Sequence, residues 1–197
     1  EQLNEILHPI IQPESVKSFK SVSGGISGAP GAAIGRIYFT TDGLLEAHRN
    51  AQQQGEDTRM ILCMPATFAD DVKAIEVATG VLSSEGGYSA HASVVARQYG
   101  KVSLVYKDIQ FNNSTAKIGS HTVKEGDIVT LQVPHYGDPN IYFGKAELIE
   151  PDPKDSGLLE FIDIVKKSVS GFHVRVNADS DRDSKLAVQF GAEGIGL

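Results

Sequence analysis

Cys63 is the only cysteine in 197 residues, so the chain can close no internal disulfide and build no multi-cysteine zinc site. A reducing, intracellular setting is the expectation. Positive charge is also scarce: 18 Lys and Arg face 25 Asp and Glu, for a formal net charge of −7. A general nucleic-acid binder needs the opposite balance to neutralise phosphates, so no nucleic-acid partner is expected. No apolar run approaches the roughly 18–20 residues that span a bilayer, and no charged-then-apolar signal segment opens the chain. These absences predict a soluble protein with no membrane partner, cytoplasmic or, in a eukaryote, organellar. Internal repeats are absent as well. His8, His48, His121, His135 and His173 stand at no metal-binding spacing from one another. The run at Gly24-Gly25 lacks the lysine of a phosphate-binding P-loop and reads as an entry loop.

What is present suffices for a core: 41% of the residues are apolar and 22% charged. Residues 1–22 read as a lead-in linker, partly helical, with Leu3, Ile6, Leu7 and Ile10 spaced for one face and Pro9 and Pro13 breaking it. The Gly- and Pro-rich stretch 23–31 reads as a loop. Strands are expected at 34–39, 59–64, 81–82, 102–106, 121–123, 128–133 and 141–143, with helices after a cap at Asp42, over 69–78 and over 90–99. The pattern predicts an α/β domain over 23–150. Glu150-Pro151-Asp152-Pro153 has linker composition, and 151–170 should hold a linker helix. Residues 171–197 read as the start of a second α/β unit, with a strand over 172–177 and a helix over 181–190. The apolar end Gly194-Ile195-Gly196-Leu197 suggests a piece cut from a longer polypeptide. Asp179-Ser180-Asp181-Arg182-Asp183 imitates a calcium loop, but Ser184 and Phe190 occupy positions that require Gly and Glu. Asp181 is therefore read as a helix cap, and no metal ligand is assigned.

The densest chemical signal is Ser83-Ser84-Glu85-Gly86-Gly87-Tyr88-Ser89-Ala90-His91-Ala92-Ser93-Val94-Val95-Ala96-Arg97. Gly86 and Gly87 let backbone amides approach a ligand, and Ser89 is a candidate cap that would set His91 in the first turn of a helix. That turn has unpaired N–H groups and partial positive charge, so it favours an anion. A neutral imidazole there can serve as a nucleophile and hold a phosphoryl group. On residue types and spacing alone, a histidine after a Gly-Gly turn is more often structural, and they do not settle the matter.

The run from Gly86 to Arg97 resembles the phosphohistidine signature of the phosphoenolpyruvate-utilising enzymes, and most of all their pyruvate, phosphate dikinases. Leu7-His8-Pro9 with Pro13 and Lys17, and the run Gly28-Ala29-Pro30-Gly31-Ala32-Ala33-Ile34-Gly35-Arg36-Ile37-Tyr38-Phe39, are similar to the family's entry into this domain. Ala47-His48, Met60-Ile61-Leu62 and Gly126-Asp127 have counterparts in order. Val174-Arg175-Val176-Asn177-Ala178-Asp179 and Phe190-Gly191-Ala192-Glu193-Gly194-Ile195-Gly196-Leu197 look like the first strand and helix leading into the family's substrate barrel. The resemblance implies a swivelling β/β/α phosphohistidine domain, followed over 171–197 by the truncated start of a (β/α)8 barrel. It further implies that His91 is the phosphoryl carrier, supported by Gly86, Gly87 and Ser89. The carrier would take a phosphoryl group derived from ATP and pass it reversibly to pyruvate, making phosphoenolpyruvate. The implied partners are an ATP-grasp nucleotide-binding domain and a pyruvate/phosphoenolpyruvate barrel of the same chain. Mg2+ would be bound by those other domains and none here, and a homodimeric parent is left open.

The chain departs from the family pattern in places. Ser89-Ala90-His91 replaces the usual Thr-Ser-His, Ser83-Ser84-Glu85 replaces the common Thr-Ala-Arg, and Ser93 stands where Ala is common. Two alternatives are kept: a phosphoenolpyruvate synthase-type enzyme, and a non-catalytic regulatory or protein-binding descendant, which Glu85 and Ala90 keep open. The 197 residues alone are expected to have no turnover.

Overall fold

Met60, Ile61, Leu62 and Cys63 are four consecutive apolar residues, all fully buried in one strand. Side chains alternate across a strand, so an unbroken apolar run requires cover on both faces. The computed structural model, which describes residues 9–149, 157–169, 171, 173–178 and 181–196, shows that cover. Two units are distinguished, one of them Ile10–Ile149.

Within Ile10–Ile149 the elements run β1 (Ile10–Ile11), α1 (Pro13–Val16), β2 (Ser21–Ser23), β3 (Ile26–Ala29), β4 (Gly31–Tyr38), α2 (Thr41–Gln54), β5 (Met60–Met64), a 3-10 turn (Ala69–Asp71), α3 (Val72–Val77), β6 (Gly80–Ser83) and α4 (His91–Gln98). There follow β7 (Val102–Val105), β8 (Ile109–Asn112), β9 (Thr115–Ile118), β10 (His121–Lys124), β11 (Ile128–Val133), β12 (Asn140–Tyr142) and β13 (Leu148–Ile149). The main sheet has the order β2-β12-β11-β4-β5-β6-β7-β3. Its centre, β4 to β7, is parallel, and antiparallel strands extend it on both sides. A separate antiparallel sheet, β10-β9-β8, covers one face: Ile61 and Cys63 pack there with Ile109, Ala116, Ile118 and Val123. Met60 and Leu62 point the other way, onto Leu44 and Ala51 of α2, Ala74 and Ile75 of α3, and Ala92 and Val95 of α4. The layers are thus small sheet, large sheet and helices. Burial raises the Cys63 thiol far above its ordinary range, as suits a packed side chain.

Several local expectations are corrected. The Gly- and Pro-rich stretch is not all loop: Ile26–Ala29 is the edge strand paired with Val102–Val105, and β4 already starts at Gly31. Pro30, which has no N–H, falls between those two strands. The helix after β4 is capped by Thr40, whose hydroxyl accepts from the Gly43 N–H at 3.1 Å, with Asp42 in the first turn instead. The helix expected over 69–78 is a 3-10 turn continued by α3, and β8 and β9 were not foreseen. Those two strands meet in a two-residue turn at Asn113-Ser114, where Asn113 takes φ +38°. Asparagine tolerates that conformation, so the turn forms without the glycine that would have advertised it. The helix suggested by Leu3, Ile6 and Leu7 and the composition-based linker at 150–155 lie outside the described residues. Ile10, grouped with those leucines, instead pairs with Ile149.

A surface ion pair gives a pH prediction. The side-chain hydrogen bond from Arg59 holds the Asp57 carboxyl well below the ordinary aspartate range. A folded-state value below the unfolded one stabilises above the unfolded value, and the gain disappears as pH falls through the folded one. Wild type should therefore exceed Asp57→Asn in urea resistance at pH 6, with the small gap closing in progressively stronger acid. A gap independent of pH would contradict this.

In the second unit, α5 spans Leu158–Ser168, β14 Arg175–Asn177, α6 Asp181–Gln189 and β15 Gly194–Gly196. The strands β14 and β15 are parallel with α6 between them in sequence, as a β-α-β segment requires. Two strands and one intervening helix do not establish a barrel. Asp179 and Ser180, from the calcium-like run, lie outside the described residues, and α6 begins at Asp181 itself rather than after it as a cap. No helix among the described residues is long and apolar enough to cross a membrane.

Candidate functional site

The carboxyl ends of parallel strands collect loops on one edge of an α/β sheet, the usual place for ligands. Here β5 and β6 end side by side, and their loops are joined by the Glu85 N–H donating to the Pro65 carbonyl at 2.8 Å. The segment that leaves β6 carries Gly86, Gly87, Ser89 and His91 within six residues.

Gly86 and Gly87 do different work. Gly86 has φ +109°, and a Cβ there would stand 2.7 Å from the Ala90 Cβ. A side chain is excluded twice, by backbone conformation and by space. Gly87 has open space around it, and its carbonyl is the useful group. It accepts from the Ala90 N–H at 3.0 Å and from the Ser93 hydroxyl at 2.9 Å, closing the turn into the helix.

The helix α4 starts at His91, one residue later than the expected cap implies. Its N-cap is Ala90, which has extended backbone and no side chain able to accept, so Ser89 is not the cap. No side-chain hydrogen bond closes this end, which leaves first-turn amides and the positive end of the helix dipole beside His91. Ala92, Ser93, Val95 and Ala96 are buried, whereas His91 is exposed, as are Ser89 and Glu85. The helix therefore packs by one face and presents the imidazole on the other. An accessible imidazole over uncapped amides can attack an electrophilic phosphorus and then hold the resulting anion.

Residues outside the expected set hold this arrangement from behind. Gly28 of β3 approaches α4 so closely that a Cβ would meet the Ser93 Oγ at 2.3 Å and the Ser103 Oγ at 2.7 Å. Ser93 and Ser103, both fully buried, have their hydroxyl oxygens 3.4 Å apart. Arg97, in the last turn of α4 as expected, donates to the Gly28 carbonyl and stacks on the Tyr88 ring, 3.9 Å from its centroid. Gly28 lies far from His91 in sequence and Ser103 beyond the end of α4, and no local pattern marks them. Among the described residues no group of three or more His, Cys, Asp or Glu side chains is placed to hold a metal ion.

Comparisons with known proteins give a family match and several similar proteins. Residues 56–134 match the family described as PEP-utilising enzyme, mobile domain, a span that includes β5, β6, the Gly86–His91 segment and α4. The chain is 63% identical over 196 residues to a pyruvate, phosphate dikinase of Treponema pallidum, covering 100% of this chain and 22% of that one. It is 35% identical over 198 residues to the pyruvate, phosphate dikinase of Clostridium symbiosum (99% and 21%), and 30% identical over 202 residues to that of Rickettsia typhi (100% and 21%). The chain thus spans about a fifth of the length of the curated relatives it matches.

Proposed function

This chain carries the mobile domain of the phosphoenolpyruvate-utilising enzymes, and from that premise we propose that His91 is the phosphoryl carrier of a pyruvate, phosphate dikinase-type reaction. The observation that supports it most is the exposed His91 in the first turn of an uncapped helix, directly after the Gly86-Gly87 turn. The Nε2 lone pair attacks phosphorus, a P–N bond forms, and the P–O bond to the donor breaks with its electrons leaving on oxygen. First-turn amides, with the Ser89 hydroxyl, would steady the new anion, while Gly86 and Gly87 would keep side chains out of its way. In the second half-reaction the enolate oxygen of pyruvate attacks the same phosphorus, the P–N bond breaks, and phosphoenolpyruvate leaves. Donor nucleotide and pyruvate would be bound by an ATP-grasp domain and a barrel elsewhere in a longer protein, together with the Mg2+ that neutralises phosphate charge.

The test is phosphoryl uptake by the full-length protein. It is incubated with magnesium and phosphoenolpyruvate, digested at alkaline pH to protect the P–N bond, and mapped by mass spectrometry. A phosphoryl group on His91 is expected. An unmodified His91, beside a working dikinase control, would favour the non-catalytic descendant that Glu85 and Ala90 suggest. Whether inorganic phosphate or water takes the γ-phosphoryl group of ATP then separates dikinase from synthase.

The two glycines make a sharper prediction. Gly86→Ala must shift the loop to relieve its strained φ and the 2.7 Å contact, so phosphorylation of His91 should slow roughly 10- to 100-fold. Gly87→Ala enters open space and should cost less than about threefold. Equal effects in a rapid-quench comparison would mean that the loop is not held as described.

A further inference from the structure

We infer that Arg97 and Tyr88 form a latch that fixes the Gly86–Ala90 turn and thereby the position of the His91 imidazole; this rests on the carrier reading and adds two positioning residues to it. One guanidinium ties three segments. Its stem rises from the last turn of α4, one of its N–H groups donates to the Gly28 carbonyl on the edge strand β3, and its face covers the Tyr88 ring at 3.9 Å. That separation is well inside the range of about 6 Å over which a cation attracts an aromatic face. Tyr88 sits three residues before His91, on the turn itself.

The exposure of Tyr88 is what gives the contact its meaning. Tyr88 is 63% exposed, so burial does little to hold it, and the stack on Arg97 does. Ser93 ties the same turn to α4 through the carbonyl of Gly87, the residue next to Tyr88. Between these adjacent anchors and the start of α4, the residues up to His91 have little freedom to drift. Arg97 is committed to the Gly28 carbonyl by its edge and to Tyr88 by its face, so it acts on His91 through the loop.

A planar guanidinium is required for this double contact, and an ammonium group cannot reproduce it. Arg97→Lys keeps the charge at the helix end and loses the latch, which separates the latch from a dipole effect. Tyr88→Phe keeps the aromatic face, whereas Tyr88→Leu removes it.

The experiment has two readouts. In the full-length protein, amide hydrogen exchange over residues 84–92 should quicken roughly fivefold in Arg97→Lys and in Tyr88→Leu. The double variant should exchange no faster than either single one, and Tyr88→Phe should match wild type. In the full-length protein, phosphoryl transfer from phosphoenolpyruvate to His91 should slow roughly tenfold in Arg97→Lys and Tyr88→Leu, and not in Tyr88→Phe. Additive exchange effects, a Tyr88→Phe variant as impaired as Tyr88→Leu, or transfer at the wild-type rate in Arg97→Lys would overturn the latch. An unphosphorylated His91 in wild type, with the exchange pattern as expected, would overturn the carrier reading and leave the latch standing as a clamp on the turn.

Discussion

His91→Ala is expected to abolish phosphoryl uptake by the full-length protein and to leave its unfolding curve where it was. Both halves of this expected result follow from the placement of His91. The side chain is exposed and stands at the start of α4, while the packing of that helix is carried by Ala92, Ser93, Val95 and Ala96. Surface substitutions away from packed or capped positions change stability by about 0.5 kcal/mol or less. The imidazole is, however, the one group of this chain that forms a bond to phosphorus in the proposed reaction. Amides and the helix dipole can stabilise an anion, but they cannot become the carrier. Transfer should therefore drop by more than roughly three orders of magnitude, to background. Labelling with phosphoenolpyruvate, together with thermal unfolding of the same preparations, decides the matter. Residual labelling elsewhere on the loop would reassign the carrier, and a large loss of stability would show that His91 has a packing role.

Gly28→Val unfolds more than it disables. The added Cβ meets the Ser93 Oγ at 2.3 Å, the Ser103 Oγ at 2.7 Å and the Ser93 Cβ at 3.0 Å, in a place where both serines are fully buried. Interiors are close-packed, so β3 must separate from α4, or α4 must tilt. A cost of about 3 kcal/mol is expected, which corresponds to a fall in Tm of roughly 6–12 °C. The smaller Gly28→Ala should be partly relieved by Ser93→Ala, because that change removes the nearest of the three atoms. Differential scanning calorimetry of the four-member set tests the coupling; simple additivity would place the clash elsewhere. Loop order should suffer as well, because the Gly28 carbonyl is the acceptor for Arg97.

Some of the architecture was legible because the local signal and the tertiary demand coincide. The unbroken apolar run at Met60-Ile61-Leu62-Cys63 signals a strand covered on both faces, and two core clusters provide that cover. The spacing from Gly86 to His91 placed the histidine at a helix start, which is correct to one residue. Other features were hidden by chemistry that can go either way. Glycine and proline at 23–31 suggest a loop, yet Gly28 is needed inside an edge strand, where the close approach of α4 leaves no room for a Cβ. Ser89 looked like a helix cap because serine is a good acceptor, but the turn closed by the Gly87 carbonyl carries the chain one residue further before α4 begins. Asn113-Ser114 makes a hairpin without glycine, so β8 and β9 passed unnoticed.

By itself the sequence carried the resemblance that singles out His91 as the candidate carrier, and the unbroken apolar run at Met60-Ile61-Leu62-Cys63 that calls for cover on both faces of a strand. The second of these resides in residue types at short spacing, where side-chain chemistry and backbone preference act directly. Only the tertiary structure decided which residues stand behind the loop. Gly28 and Ser103 reach α4 through strand pairing, and the guanidinium of Arg97 meets Tyr88 because one helix carries both His91 and Arg97 above the same turn. The contacts of Gly28 depend on close packing across some 69 residues of chain, and no local pattern in the sequence encodes them.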